Sequence, residues 1–506
     1  MASTPPLRRR AFNRSRLYVG IRVLLCLGAS SILAFAATDA RSQATPSPIS
    51  PVRVPPVTPV PAGVPLELTL DEAVALALRY NRGIRSAYLQ RVVERFDLRV
   101  AERAFVPRGE IGVEVVQRRR DDETRGETVI SPSATWRTPL GGVIEFVWAR
   151  ADPLKGGGSE YETAGISLNQ PLLRGAGVAV NMAPVRIARL QEEINRLQLE
   201  ATVAGTVSSV IISYRGLIQA QEQVRLAEES LARTRALLET NRALIEAGRM
   251  AESDIVQTES GVANQEVAVL QARQQVVSAQ LGLLQLLALA SRTNVVAVEP
   301  ATAGRVEVDL ESAMDTAFAS RIDLLAQRKS LEQMRQSMIV ARNQRLWDVS
   351  LVASATRDDG PRFYDGFRET DTTVGLRLNI PIGDLSRRQS WLAAETGMQT
   401  AELAFEELKQ SVESQVLEAV QSVEASWRQV EAARRARALS ERALEIGQER
   451  LRFGRASNFE VLSLQADLRA ADAQQLSANI AYLNALTALD QQIGSTLETW
   501  RISLND

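Results

Sequence analysis

Side chains that could do acid–base, nucleophilic or metal chemistry are scarce in this chain. Histidine is absent and Cys26 is the only cysteine, which removes imidazole catalysis, thiol nucleophiles and the usual ligands of zinc, copper and haem. Carboxylates could hold a cation, but their spacing does not indicate a metal site. The charged runs at 118–122 and 357–359 are most simply solvated turns. The sequence therefore predicts no catalysis and no cofactor, and a net charge of −1 gives no basis for nucleic-acid binding.

The chain repeats its own pattern, which bears on how any site is positioned. Asn169-Gln-Pro171 precedes a long helical pattern, then Gly248-Arg249, then a second long pattern. Asn379-Ile-Pro381 precedes the same arrangement around Gly454-Arg455. A duplication of this length sets the architecture before any site is considered. Short strands with two very long helices in each half are typical of a tube rather than a pocket.

The first 44 residues have the features of a signal peptide. A basic start is followed by the apolar stretch from Val23 to Ala37 and then by small residues. Two alternatives stay open: a short membrane anchor, although a spanning helix needs about 20 apolar residues, and lipidation at Cys26. Residues 45–65 are rich in proline, which predicts an extended spacer or a disordered tail.

Long stretches almost free of proline predict four unusually long helices. Residues 181–247 contain only Pro184, in the first turn, where proline is tolerated; about 66 residues would span about 100 Å. The second half repeats this form at about 384–453 and 457–494. Apolar residues spaced by seven predict supercoiled packing. They are Val224, Leu231, Leu238 and Ile245 in one helix and Leu270, Val277 and Leu284 in the next.

Each pair of long helices is predicted to form a hairpin with a tight turn at its tip. Gly248 and Gly454 suit the left-handed position that ends a helix. Beyond them, Ser253 and either Ser457 or Asn458 are candidates to cap the return helix.

Short segments of alternating apolar and polar residues predict strands, at 111–115, 349–354 and 374–380. This alternation suits a barrel with lipid outside and water inside, although a half-buried sheet in a soluble protein alternates too. The export signal and the polar loops favour the barrel, as do aromatic residues typical of a membrane interface. These aromatics are Trp136, Trp148, Tyr161, Trp347, Phe363, Tyr364 and Phe367.

The number of strands predicts self-association. Two hairpins give four strands in each chain, too few to enclose water, so symmetric association is expected. An additional hairpin is predicted from 131–136 and 143–148 around a turn at 139–142. It has no counterpart in the second half, and it could either extend the barrel or fold outside it.

Several motifs, duplicated and in order, carry a family resemblance. They are Leu70-Asp71-x-Ala73 with its partner Leu310-Glu311-x-Ala313, Leu168-Asn-Gln-Pro-Leu-Leu-Arg-Gly175, and the tips at 247–254 and 453–462. Over residues 66–500 the chain resembles the TolC-like outer membrane efflux proteins. The resemblance implies a mainly α fold with a transmembrane β-barrel: duplicated strand–helix units forming a trimeric β-barrel plus a long α-helical coiled-coil barrel, with a mixed α/β belt near the middle.

The resemblance also implies a function. It indicates an outer membrane channel of a tripartite efflux or type I secretion system, which passively conducts substrate from a periplasmic adaptor and an inner-membrane pump to the exterior. The expected state is a homotrimer in the lipid of a Gram-negative outer membrane, with a long periplasmic portion. The alternative is a periplasmic coiled-coil scaffold or tether without a channel. The implied division is 1–44 signal peptide, 45–65 proline-rich segment, 66–291 first repeat, 292–309 equatorial linker, 310–500 second repeat and 501–506 C-terminal tail.

The family's functional residues map onto the two tips. The helix turns contact the adaptor, which implicates Gly248, Arg249, Gly454 and Arg455. Carboxylates just beyond the turns line the periplasmic aperture, and these positions hold Asp254 and Glu460. An ordinary helix start also favours acids, because of the helix dipole, and this simpler role for both residues stays open.

Two departures from the family pattern occur at the second tip. A second acid often follows one turn after the first, and that position here is Ser463. The aromatic and basic latch partners of some relatives are replaced by Leu451 and Ala456, which predicts that the closed state is held differently.

Overall fold

The computed structural model describes residues 65–120, 123–154, 160–248, 251–252, 254–362, 365–453 and 455–504. The predicted signal peptide and all but the last residue of the proline-rich segment lie outside this part of the chain. Each half has the same order: two short helices, then strands, then two long helices.

The long helices confirm the prediction made from the proline-free stretches. α4 has 64 residues and α8 has 67 residues, so each is about 100 Å long. The helices of the first half are α1 (Leu70–Tyr80), α2 (Arg82–Glu102), α3 (Val178–Asn181), α4 (Ala183–Glu246) and α5 (Asp254–Leu287). Those of the second half are α6 (Leu310–Ser320), α7 (Ile322–Gln344), α8 (Ser386–Arg452), α9 (Asn458–Ile493) and α10 (Thr496–Thr499).

The repeated motif at the start of each half begins a helix. The Thr69 hydroxyl accepts a hydrogen bond from Glu72 N, and the Glu72 carboxylate accepts one from Thr69 N. In the second half the Asp309 carboxylate accepts from Ser312 N at 2.9 Å. Such caps satisfy amides that have no partner within the helix. The alanines of the two motifs are buried, so the motif encodes both a cap and a packing face.

The additional first-half hairpin joins the main sheet. Six antiparallel strands lie in the order β2-β3-β4-β5-β7-β8, so each chain contributes six strands and not the four counted from two hairpins. The strands are β2 (Arg108–Arg120), β3 (Glu123–Arg137), β4 (Val143–Pro153), β5 (Tyr161–Pro171), β7 (Asp348–Arg362) and β8 (Asp365–Asn379).

The helices form a single layer four helices wide. Near the sheet, α4 contacts α2 and α7, and α7 contacts α8. Toward the tips, α4 contacts α5 and α9, and α9 contacts α8. One stretch, Val178–Glu246, is long and apolar enough to cross a membrane by length and composition, but 44% of its most apolar window is buried inside the chain. Within this stretch, α4 contacts α2, α5, α7 and α9, which makes it the central helix of the layer.

A small α/β belt surrounds the middle of the long helices. β1 (Leu66–Leu68) pairs in parallel with β6 (Val295–Ala297). The linker that contains β6 crosses three helices: Gln221 on α4 bonds to Ala297, Arg434 on α8 donates to the Ala303 carbonyl, and Asn479 on α9 donates to the Ala301 carbonyl. The belt thereby fixes both hairpins to each other.

Candidate functional site

The first tip ends in a left-handed glycine, as predicted. Gly248 has a φ of +66°, a conformation that costs other L residues about 1–2 kcal/mol, and its N–H donates to the Ile245 carbonyl at 2.8 Å. The return helix begins at Asp254. The predicted contact Arg249 and the predicted cap Ser253 lie outside the described residues.

The second tip brings one predicted aperture residue against a basic residue of its own hairpin. Ser457 caps α9 by accepting from Glu460 N at 3.1 Å. The Glu460 carboxylate accepts from Arg450 at 3.1 Å, and Arg450 also donates to the Arg455 carbonyl. Both members of the Glu460–Arg450 pair are half-exposed, so the pair is screened and weak. Gly454 lies outside the described residues.

The residues that replace the family's latch pack in an apolar cluster between the two hairpins. Leu451 is buried, and Ala456 packs partly buried against the same cluster. The cluster also contains Leu237 from the first hairpin and Val461 from the second. Ser463 is exposed one turn beyond Glu460. The two tips therefore touch through apolar side chains next to the predicted aperture positions.

A buried polar network joins the tips directly. Asn241 on α4 donates to Thr258 on α5 and to Asn458 on α9, both at 2.8 Å, and Asn458 donates to Thr258 at 2.9 Å. All three side chains are buried. Asn458 is thus a member of this network, whereas Ser457 is the helix cap.

Further polar contacts continue this network up the α4–α9 contact. Thr234 on α4 donates to the Gln465 side chain at 3.3 Å. The buried carboxylate of Asp472 on α9 accepts from Arg437 on α8 at 2.8 Å and lies 3.9 Å from Arg233 on α4. We call the set Asn241, Thr258, Thr234, Asn458, Gln465 and Asp472 the polar seam.

Sequence reasoning missed the polar seam, although a signal for it exists. Buried polar residues on α9 recur every seven positions. They are Asn458, Gln465, Asp472 and Asn479. A heptad position that is polar in four successive repeats predicts a packed polar row, because the same face of the helix returns to the contact.

The strand register separates an apolar face from a polar face. In antiparallel pairs, opposed residues share one face of the sheet. Val113 lies opposite Ile130 across β2–β3, Phe146 opposite Ile166 across β4–β5, and Leu351 opposite Leu376 across β7–β8. These residues belong to a single apolar face that crosses all six strands. The prediction of strands with one apolar face is confirmed.

The opposite face of the sheet is more polar, although β4 places Val143, Val147 and Ala149 on it. It carries Glu114 on β2, Ser133 on β3, Ser167 on β5, Ser354 on β7 and Thr373 on β8. A sheet with one lipid-compatible face and one water-compatible face is what a membrane barrel requires. Of the aromatic residues predicted to form an interface girdle, Trp136 and Trp148 lie on the apolar face, whereas Tyr161 and Phe367 occupy register positions of the opposite face. Phe363 and Tyr364 lie outside the described residues.

Near the belt, burial shifts the ionisation of two groups. Arg215 on α4 donates to Leu483 and Thr487 of α9 at 2.5 and 2.7 Å, and burial lowers its pKa. Burial raises the pKa of Asp490, although a hydrogen bond from Ser495 and the nearby Arg215 act in the opposite direction. Among the described residues no group of three or more acidic or cysteine side chains could hold a metal ion. These charges serve helix packing.

Comparison with known proteins identifies the family. The profile described as "Outer membrane efflux protein" matches residues 74–289 and 313–495. The chain belongs to the outer membrane efflux protein family. The outer membrane efflux protein BepC of Brucella suis biovar 1 (strain 1330) is 24% identical over 332 residues, which are 64% of this chain and 71% of that protein. The resemblance inferred from the motifs is confirmed.

Solved structures of outer membrane channels share the fold. The VceC protein of Vibrio cholerae has a TM-score of 0.64 at 15% identity, covering 84% of this chain and 96% of that chain. The CmeC channel of Campylobacter jejuni has a TM-score of 0.63 at 14% identity, covering 84% and 86%. The open state of the MtrE channel of Neisseria gonorrhoeae has a TM-score of 0.62 at 16% identity, covering 84% and 88%.

Family membership assigns the chain its place and role. This efflux protein is an outer membrane channel of a tripartite efflux system, with a long helical part in the periplasm. It belongs to a transport family and not to an enzyme family. The scaffold alternative does not explain six long strands with a continuous apolar face.

Proposed function

We propose that three copies of this efflux protein close into one tube, which conducts substrate passively from a periplasmic adaptor and an inner-membrane pump to the exterior. The β-sheets of the three copies form a barrel in the outer membrane, and their helices form a coiled-coil barrel in the periplasm. The observation that carries this proposal is that the β-sheet and the helical layer each have two edges that pair with nothing else in the described part of the chain.

The two unpartnered sides belong to different halves of the chain. Among the described strands, β2 and β8 are the edges of the main sheet. In the helical layer, α2 and α5 lie on one side and α8 on the other. A surface from the first half can therefore meet a surface from the second half of the next copy. Such head-to-tail contacts generate a closed ring when the rotation between copies closes.

Apolar residues on these sides have no partner inside the chain. Leu270 and Val277 on α5 follow the spacing of seven that predicts a packed seam, yet they are exposed. Leu439 and Ile446 on α8, and Phe453 directly after α8, are also seven apart and exposed. Two exposed heptad seams on opposite sides of one chain support helix–helix packing between copies. The family resemblance supports three as their number.

The tips are proposed to carry the aperture and the adaptor contact. In a trimer, Asp254, Glu460 and Ser463 would each form a ring of three, and charged rings of this kind select ions by their sign. Gly248, Arg249, Gly454 and Arg455 are proposed to contact the adaptor. The Arg450–Glu460 pair reduces the net charge of one ring, so the proposal includes Arg450 as a residue that tunes ion preference.

Electrical recording from the reconstituted channel tests the ring. Glu460→Ala is expected to raise conductance and weaken cation preference, because three carboxylates are lost. Arg450→Ala is expected to strengthen cation preference, because the carboxylates lose their partner. Glu445→Ala is the matched control, since Glu445 is an exposed acid paired with Arg442 along α8. Conductance and selectivity that stay unchanged in both tip variants would refute the ring.

Fractionation tests the tube itself. The mature protein should partition with outer membranes and run as a trimer that dissociates on heating. Recovery as a soluble periplasmic protein would contradict the channel.

A further inference from the structure

The first half contains a strand pair that the second half lacks. β2 follows α2 as β7 follows α7, and β5 precedes the long helix α4 as β8 precedes α8. The pair β3–β4 is inserted between β2 and β5. It is the one place where the duplication has changed the strand count, so its position in the sheet decides what the change does.

The inserted pair is a full part of the wall. β3 pairs with β2 along the whole of β2, and β4 pairs with β5 over nine positions. Ile130 and Phe146 of the inserted pair lie on the same face as Val113 and Ile166 of the flanking strands. The apolar face therefore continues across the insertion through Ala134, Phe146 and Ile166, and it becomes charged only toward the far ends of the strands, where Arg150 lies opposite Ile130 and Glu162.

The turn of the inserted pair is fixed to the helical end of the sheet. Thr138 closes the turn by accepting from Gly142 N at 2.9 Å. The Leu140 carbonyl accepts from Gly177 N at 3.1 Å. Gly141 has a φ of +95°, and a Cβ there would lie 2.1 Å from the Gly175 carbonyl oxygen. The turn is packed against the segment that begins α4, which holds the inserted strands in register with the helices.

The width expected for six strands matches the width expected for the helical layer. Four helices side by side span about 32–40 Å at usual interhelical distances. Strands about 4.8 Å apart and tilted about 40° occupy about 6 Å each along the barrel's circumference, so six strands span about 38 Å and four strands only about 25 Å. A sheet of six strands is therefore as wide as the helical layer that it adjoins.

The directions of the edge strands also permit closure. Five antiparallel steps separate β2 from β8, and because this number is odd the two strands run in opposite directions. β2 of one copy can therefore continue the antiparallel alternation beside β8 of the next. Both edges carry exposed apolar residues on alternate positions, namely Ile111, Val113 and Val115 on β2 and Val374, Leu376 and Leu378 on β8.

We propose that the β3–β4 insertion widens the outer membrane barrel to eighteen strands, six from each of three copies. The inference rests on the proposed trimer. Barrel diameter grows roughly in proportion to strand number, so this barrel would be about one and a half times as wide as a barrel of twelve strands. The opening through the outer membrane is then no narrower than the tunnel between the helices. The narrowest point, which selects the cargo, lies at the tips. The opening admits bulkier cargo than a twelve-stranded barrel would pass.

Disulfide crosslinking in native outer membranes tests the strand order. Cys26 is the only cysteine of the chain and lies in the predicted signal peptide, so introduced cysteine pairs report without interference once that segment is removed or Cys26 is replaced by serine. Val113→Cys with Ile130→Cys should crosslink within one chain. Val113→Cys combined in turn with Val374→Cys, Leu376→Cys or Leu378→Cys should link neighbouring copies in at least one combination and yield covalent dimers and trimers.

One pair is designed to fail. The positions Val113→Cys and Ile166→Cys are three strands apart, a separation of at least about 14 Å, which is too far for a disulfide. An efficient β2–β5 crosslink would show that the insertion is outside the wall and would overturn the proposal.

An electron cryo-microscopy map of the unmodified protein in lipid provides the second measurement. Eighteen strands would support the proposal and twelve would overturn it. A heat-sensitive trimer with only twelve strands would leave the proposed channel intact, whereas absence of a trimer would count against both.

Discussion

The belt and the tips are packed by chemically different side chains. At the belt each half has its own apolar cluster: the fully buried Tyr214 and Leu217 anchor that of the first half, and Tyr482 anchors that of the second. At the tips, a small apolar cluster between the hairpins lies beside the polar seam, where Asn241 and Thr258 are fully buried. We infer from this difference that the belt holds each half together, whereas the tips can rearrange.

The physical basis of the difference is the free energy that each kind of contact loses when its residues separate. Apolar side chains lose about 25 cal/mol for each Å² exposed to water. Buried hydrogen bonds can be replaced by bonds to water, so their net contribution is only about 0.5–1.5 kcal/mol each. Asn241 Oδ1 and Gln465 Nε2 also find no hydrogen-bond partner among the described residues. Rearranging the tips therefore costs less free energy than disrupting the apolar clusters of the belt.

The largest expected effect is at the belt. Tyr482→Ala should destabilise the protein by about 3–5 kcal/mol, because it leaves a cavity and removes the hydroxyl that accepts from Val306 N at 2.8 Å. The temperature at which the trimer dissociates measures the loss. Tyr482→Phe, which keeps the ring against Trp427, should lose much less. Equal losses in the two variants would show that the belt is not held by packing.

At the tips, Asn241→Ala should cost about 1–3 kcal/mol, because it leaves Thr258 and Asn458 without their shared partner. We expect the loss to appear mainly as leakage, measured as uptake of a bulky dye that the intact outer membrane excludes. Thr240→Ala is the control, since its exposed hydroxyl bonds only to the Ala236 carbonyl of its own helix. A lowered dissociation temperature without leakage would contradict a gating role for the polar seam.

A smaller effect is expected from backbone strain at the first tip. Gly248→Val should cost about 1–2 kcal/mol, because a β-branched residue would have to adopt a left-handed conformation. The result should be weaker crosslinking to the adaptor and lower export. Gly248→Asn is the control, because asparagine tolerates this conformation better. Normal export by a normal Gly248→Val trimer would argue against a tip contact.

The smallest expected effect is a pH dependence of stability that comes from Asp490 near the belt. Burial raises the pKa of Asp490 above its unfolded value, so the folded protein holds that proton more tightly. Stability contributed by the protonated form is present at low pH and is lost as pH rises through the folded pKa. Asp490→Asn should therefore gain stability relative to the wild-type protein as pH rises from about 4.

Thermal dissociation measured across pH checks this expectation. The exposed Asp467→Asn on the same helix is the control. A difference between wild type and Asp490→Asn that does not change with pH would contradict the assignment.

Local signals were sufficient to predict the helices, the turn of the first tip and the positions of the strands, although the charged run 357–359, expected to be a turn, lies within β7. Proline-free stretches with a spacing of seven predicted α4, and Gly248 predicted a left-handed turn, because both depend on residues near in sequence. The strand count was not predictable in the same way. Whether β3 and β4 extend the sheet depends on β5 pairing with β7, whose residues are almost 200 positions away.

The candidate site shows the same limit. Asp254 and Glu460 could be assigned from the tip motifs, but the contact of Glu460 with Arg450 depends on how the turn folds. Asn241 looks like any helical asparagine until its position opposite Asn458, 217 residues later, is known.

The small sheet of the belt has a consequence for how the protein is made. β1 begins at Leu66, but its partner strand begins at Val295, and the cluster against which β1 packs also includes Ile502 and Leu504. An exported chain that emerges from its N-terminus must keep β1 unpaired until most of the sequence has crossed the inner membrane. Contacts this distant in sequence form slowly. The belt is therefore a late step of biogenesis, and a chain cut short before residue 502 would expose the apolar cluster that marks a protein for degradation.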